Sequence, residues 1–167
     1  MKSDIIVKYL DELFPDPKCE LIYFNDYSLL MAIVLSAQCT DKRVNSVTPL
    51  IFDRYKSLGE LKNADLGELE SIIRPVGSFR KKASYIKDIA TLLVDKYDGV
   101  VPRDRKILES FPGVGRKTVN VFLGELYNEP AIAVDTHVER VSKRLRLAYL
   151  NDDVYKVEQK LMKKFPK

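Results

Sequence analysis

Two side chains stand where they could do covalent and electrostatic chemistry, Lys117 and Asp135. Lys117 lies in Leu108-Glu109-Ser110-Phe111-Pro112-Gly113-Val114-Gly115-Arg116-Lys117-Thr118, directly after two glycines that bracket one aliphatic residue. Such a pair lets the chain reverse within a few residues and brings backbone N–H groups up to a ligand with no side chain in the way. If a helix begins near Arg116, its positive end and the adjacent guanidinium both disfavour the charged lysine, and only the neutral amine is nucleophilic. A lysine so tuned can attack the sugar carbon of a damaged nucleoside and form a Schiff base, so that base release and strand breakage share one covalent intermediate. The competing reading is a lysine that clamps phosphate or stands in solvent.

Asp135 closes an apolar run, Ala131-Ile132-Ala133-Val134, and precedes Thr136-His137-Val138-Glu139-Arg140. It is well placed to cap the following helix, a structural role that would explain it alone. A capping carboxylate stays ionised, so it can also stabilise positive charge developing on a sugar as a base departs. His137, the one histidine, reads as a structural or DNA-contact residue.

Cations in a first helical turn oppose the helix dipole and cost about 0.3–1 kcal/mol each, which an anion bound by Arg116, Lys117 and the Gly113–Gly115 backbone would offset. A DNA phosphate is the natural candidate. An ordinary tight turn carrying solvated cations remains the alternative, because Gly-x-Gly alone is a weak signal. A second turn, Pro75-Val76-Gly77-Ser78-Phe79-Arg80-Lys81-Lys82, repeats the order helix, Pro/Gly turn, cations, helix. It either faces the same groove or is a solvated charge run.

The elements that must position these groups are helical throughout. Stripes at helical spacing run through Ile5, Ile6, Tyr9, Leu10 and Leu13; Leu29, Leu30, Ile33 and Val34; and Val44, Val47, Ile51 and Tyr55. Asp65 with Glu68 marks a helix start, Pro75 and Gly77 its end, and Ala83, Ile86, Ile89, Ala90 and Leu93 a long following helix. Asp104 caps a short helix before the glycine hairpin, and Val119, Phe122 and Leu123 begin the helix after it. Two more helices span about Thr136 to Leu147 and Asp153 to Phe165. The final stripe of Val154, Val157, Leu161 and Phe165 has no later element to cover it, so a chain cut short is expected.

Composition bounds the rest. The 167 residues are 46% hydrophobic and 31% charged, with a net charge of +4, which permits a nucleic-acid partner without proving one. No apolar run approaches the roughly 18 residues of a membrane span, and Met1-Lys2-Ser3-Asp4 leads into an amphipathic pattern rather than a secretion signal. A cytoplasmic protein is expected, with Cys19 and Cys39 as free thiols and no metal-ligand spacing.

At three segments the sequence resembles the endonuclease III family of helix-hairpin-helix DNA glycosylases: Phe111 to Thr118, Val134-Asp135-Thr136-His137, and Leu35-Ser36-Ala37-Gln38-Cys39-Thr40-Asp41. The resemblance runs from about Asp4 to Phe165 in order and spacing. It implies an all-α, multi-helix bundle with a DNA cleft between two helical layers: a core of residues 18–130 with its hairpin at about 107–126, and a second layer from 1–17 plus 131–167, incomplete at its C-terminal end. The implied activity is excision of oxidised pyrimidines from double-stranded DNA, with nicking at the abasic site, by a monomer that flips its target out of the stack. Lys117 and Asp135 would be catalytic, and Gln38, Ser78, Phe79, Arg80, Gly113, Val114, Gly115, Arg116 and His137 would bind DNA. Gln38 would fill the space left in the duplex. Lys117 tells against the adenine-specific mismatch glycosylases, which lack a lysine there. Ser78 departs from the bulky aliphatic wedge the family often carries, with Phe79 able to compensate. The family's 4Fe-4S cluster would need cysteines beyond residue 167, since Cys19 and Cys39 do not match its ligands. A helix-hairpin-helix module that binds DNA without chemistry is the competing class.

Overall fold

The computed structural model describes residues 2–165, and among these it contains helices and no strand. The helices are α1 (Lys2–Leu13), α2 (Asp26–Ser36), α3 (Asp41–Arg54), α4 (Leu58–Lys62), α5 (Leu66–Ile73), α6 (Phe79–Lys96), α7 (Arg105–Glu109), α8 (Arg116–Tyr127), α9 (Thr136–Arg144) and α10 (Val154–Lys164), with a 3-10 turn at Arg74–Val76. None of them is long and apolar enough to cross a membrane. The chain divides into two compact units, Glu20–Phe122 and Met1–Cys19 with Leu123–Lys167, the boundary falling inside α8.

The first unit is built around α2. Its residues Ser28 to Leu35 are all buried, so the one-sided stripe read from sequence is in fact a helix enclosed on every side. The near-continuous apolar run from Leu29 to Leu35 is what permits this. A reciprocal cap starts the helix: Ser28 N–H donates to Asn25 Oδ1 at 2.9 Å, and Asn25 N–H donates to Ser28 Oγ at 3.0 Å. Such caps contribute about 1 kcal/mol. Helix α2 packs on α3 and α6, and α6 packs in turn on α4 and α5. The stripe expected on α6 is buried as Ala83, Ile86, Ile89, Ala90 and Leu93. Helix α5 starts where Asp65 accepts from the Glu68 N–H at 2.8 Å.

The second unit has a smaller core of Val134, Leu147, Ala148, Val157 and Leu161, with Ile6, Ile132, Val138 and Phe165 packed against it. The final stripe is therefore covered at Val157 and Leu161, and only its first residue, Val154, is substantially exposed. The exposed apolar face is instead that of α1, where Ile5, Tyr9 and Leu13 stand more than half open. Asp152 ties the segment after α9 to α10: it accepts from the Tyr149 N–H at 2.7 Å and from Lys160 Nζ at 2.5 Å.

Candidate functional site

The glycine hairpin forms between α7 and α8. Asp104 caps α7 by accepting from the Ile107 N–H at 3.0 Å, and the Val114 N–H closes the turn onto the Phe111 carbonyl at 3.1 Å. Gly113 has φ of 75°, and a Cβ there would lie within 2.9 Å of Cε2 in the Tyr85 ring. Conformation and close approach both demand glycine. Gly115 differs, because a Cβ there would meet nothing within 4 Å. The fold does not require its missing side chain, which leaves the backbone at the mouth of the hairpin unobstructed.

Helix α8 begins at Arg116, with its first backbone bond running from the Val119 N–H to the Gly115 carbonyl at 3.0 Å. Lys117 is thus the second residue of the helix, as the spacing predicts, and it is exposed, while Arg116 is half-buried. Arg105 donates to Asn120 Oδ1 at 2.7 Å and joins α7 to α8. Val114 and Phe111 are buried. The side chain of Val114 therefore packs inward and fastens the hairpin to the core.

The second basic turn is organised differently. Gly77 has φ of 63° and ψ of 156°, a region open essentially to glycine alone, and Ser78 follows in the left-handed region at φ of 47°. Ser78 is exposed and its side chain does not cap α6. Phe79 is half-buried beneath the Arg80 guanidinium, 5.2 Å above its ring, and Arg80 lies 3.9 Å from Glu70. Lys81 is exposed, 5.6 Å from the Tyr85 ring centre. Lys82 is only 6% exposed, and its Nζ donates to the carbonyls of Leu35, Ala37 and Val76 at 2.9, 2.8 and 2.9 Å. The three consecutive cations are thus neither one groove-facing patch nor one solvated run. The third is buried because it is the fourth residue of α6 and shares the face of Ala83 and Ile86.

Gln38 follows the end of α2, exposed and also left-handed at φ of 54°. Gln38, Ser78 and Gly113 line one cavity of about 250 Å³ with Lys81, Lys82 and Tyr85. Three segments singled out in the sequence therefore converge within this unit. Lys82 and Tyr85 were not singled out, though the spacing of Lys82 to Ile86 and Ile89 carried the signal that it faces inward.

In the other unit Asp135 caps α9, its Oδ1 accepting from the N–H groups of His137 and Val138, both at 2.9 Å. The carboxylate is half-buried and held by the donors expected of a cap. His137 is exposed, and Arg140 donates to its Nδ1 at 3.0 Å. Among the described residues no three His, Cys, Asp or Glu side chains are placed to hold a metal ion, and neither cysteine forms a disulfide. These residues do not fit an iron–sulfur cluster.

Known proteins match this chain over most of its length. A family profile described as HhH-GPD superfamily base excision DNA repair protein matches residues 31–167. Endonuclease III of Bacillus subtilis (strain 168) is 46% identical over 158 residues, covering 95% of this chain and 72% of the relative. The chain belongs to the endonuclease III family. Two solved structures of 48% identity match it: a trapped endonuclease III–DNA covalent intermediate with TM-score 0.92, covering 99% of this chain and 79% of that one, and a non-covalent endonuclease III–DNA complex with TM-score 0.93, covering 99% and 78%. As an endonuclease III family member the chain is a base-excision DNA repair glycosylase with the all-helical HhH-GPD fold. A non-catalytic clamp is not favoured by these relatives.

Proposed function

We propose that the chain excises oxidised pyrimidines from double-stranded DNA and nicks the strand at the resulting abasic site, working as a cytoplasmic monomer. Lys117 Nζ attacks C1′ of the flipped nucleotide, and the base leaves with the electrons of the C1′–N bond. The ionised Asp135 stabilises positive charge on the sugar as that bond breaks. The sugar ring opens to an imine on Lys117, a proton leaves C2′, and the C3′–O bond breaks to expel the phosphate. Water then hydrolyses the imine and frees the lysine.

The observation that carries this reading is an exposed lysine in the first turn of α8, directly after a hairpin whose Gly115 leaves the backbone open. That a relative of 48% identity forms a covalent intermediate with DNA supports it. Gly113, Gly115 and Arg116 would hold phosphate, while Gln38, Ser78, Phe79, Arg80 and His137 would meet the duplex. Borohydride reduction in the presence of duplex DNA carrying an oxidised pyrimidine or an abasic site should give a covalent adduct. A folded, DNA-binding chain that gives none would be a clamp without chemistry.

A further inference from the structure

Lys82 is a buried ammonium that the chemistry above does not use. Its three N–H donors meet three carbonyls, those of Leu35 and Ala37 at the end of α2 and that of Val76 at the end of the 3-10 turn. Both are helix C-termini, where carbonyls lack intrahelical donors and the dipole favours a cation. The residues directly beyond these carbonyls are the left-handed Gln38 on one side and Gly77 with the left-handed Ser78 on the other. One side chain therefore caps two chain segments about forty residues apart and sets the distance between the residues that leave them.

An apolar side chain would fill this space without the desolvation that lowers the ammonium's proton affinity from the ordinary lysine value. What it could not supply is three fixed directions. Tyr85, one turn along α6, extends the same arrangement to the hairpin by packing against Gly113. The cavity lined by Gln38, Ser78, Gly113, Tyr85 and Lys82 is where the three segments meet.

We propose that Lys82 is a positioning residue for base extrusion, fixing Gln38 and Ser78 at the spacing with which they enter the duplex. The proposal rests on the reading of Gln38 and Ser78 given under Proposed function. Misplacing such groups penalises a reaction that must unstack and unpair a base far more than one whose base is already gone.

The test compares Lys82→Met with the unaltered chain in two single-turnover reactions, excision of an oxidised pyrimidine from duplex DNA and nicking of a preformed abasic site. Excision should fall by about tenfold or more, with nicking close to unchanged, and Gln38→Ala should add little to the excision defect already present in Lys82→Met. Parallel loss of both reactions in proportion to the folded fraction, or full additivity with Gln38→Ala, would overturn the proposal and leave a packing role. Amide hydrogen exchange without DNA gives a readout independent of activity: Lys82→Met should speed exchange at residues 36–39 and 76–80 and leave α9 and α10 unchanged, and uniform exchange would overturn the proposal. If Lys82→Met does not fold, Lys82→Arg, which keeps the charge but cannot place three donors on one converging set of carbonyls, is read in the same way. Nuclear magnetic resonance of the unaltered chain with isotope-labelled lysine should show a slowly exchanging ammonium that disappears in Lys82→Arg; its absence contradicts the three-carbonyl cap. An unaltered chain that neither excises nor nicks would defeat the proposed function while hydrogen exchange still judged Lys82.

Discussion

The turns at residues 111–116 and 76–80 both pass from a short helical segment through glycine into a helix with cations in its opening turns, yet Lys117 of the first and Lys82 of the second end in opposite places. At the first, Arg116 and Lys117 are the first two residues of α8 and remain at its exposed end. At the second, Phe79, Arg80 and Lys81 take up the first three positions, so Lys82 comes fourth in α6 and turns into the core beside Ala83 and Ile86. Two residues of helical register separate an exposed lysine from a buried one. The glycines differ in the same way: Gly113 is required by both its φ and Tyr85, Gly77 by its φ and ψ, and Gly115 by neither.

The largest effect expected from this contrast is at Lys117. Lys117→Ala should lower nicking by about a thousandfold or more, with DNA affinity largely kept and thermal stability changed by no more than about 0.5 kcal/mol. Comparable loss of melting temperature in Lys117→Ala and Lys82→Met would erase the distinction between the exposed and the buried lysine. Asp135→Asn comes next. Asparagine caps helices as well as aspartate, so melting should barely move while base release slows by about a hundredfold. Asp104→Asn, at the cap of α7, is the control and should leave both unchanged.

Much of this was legible in the sequence, but unevenly. The caps at Asp65, Asp104 and Asp135 were readable because each precedes an apolar helical pattern, and each accepts from backbone N–H groups in the structure. The Lys117 position followed from the glycines before it. The burial of Lys82 was harder to read, since three cations in a row look solvated unless helical register is counted from Phe79. The left-handed Gln38 and Ser78 left no composition signal at all, because their backbone shape is imposed by the segments packed around them. Enclosure of α2 on every side was equally a tertiary outcome: a seven-residue apolar run fits a stripe or a centre until its neighbours are known.

The glycines supply the next prediction. Gly113→Ala should cost about 1–3 kcal/mol from its positive φ alone, with the Tyr85 overlap adding to it, whereas Gly115→Ala should cost less than about 0.5 kcal/mol and weaken DNA binding instead. Chemical denaturation and a binding titration on both variants check this; equal stability losses would show that Gly115 is also structural. Salt dependence sharpens the contrast among cations. Arg80→Ala should lower the log–log slope of affinity against salt by about 0.9 if it meets a phosphate, and Lys82→Met, whose ammonium is already bonded to protein, should leave the slope alone.

The smallest effect lies in the other unit. The Lys160 ammonium and the Tyr149 N–H hold Asp152 below the ordinary carboxylate value of 3.8. A depressed carboxyl contributes stability that is fully present above that value and is lost as pH falls through its lowered folded value. Asp152→Asn should therefore lower the melting temperature at neutral pH and flatten its acid dependence below about pH 3.8. An unaltered acid limb in thermal melts would remove Asp152 from that account.

The most direct measurement is to locate the reduced adduct. After borohydride trapping on duplex DNA containing an abasic site, proteolysis and mass spectrometry should place the sugar remnant on the peptide carrying Lys117, at Lys117 itself. An adduct on any other amine of the chain, or one that persists undiminished in Lys117→Ala, would contradict the assignment of the hairpin lysine as the nucleophile.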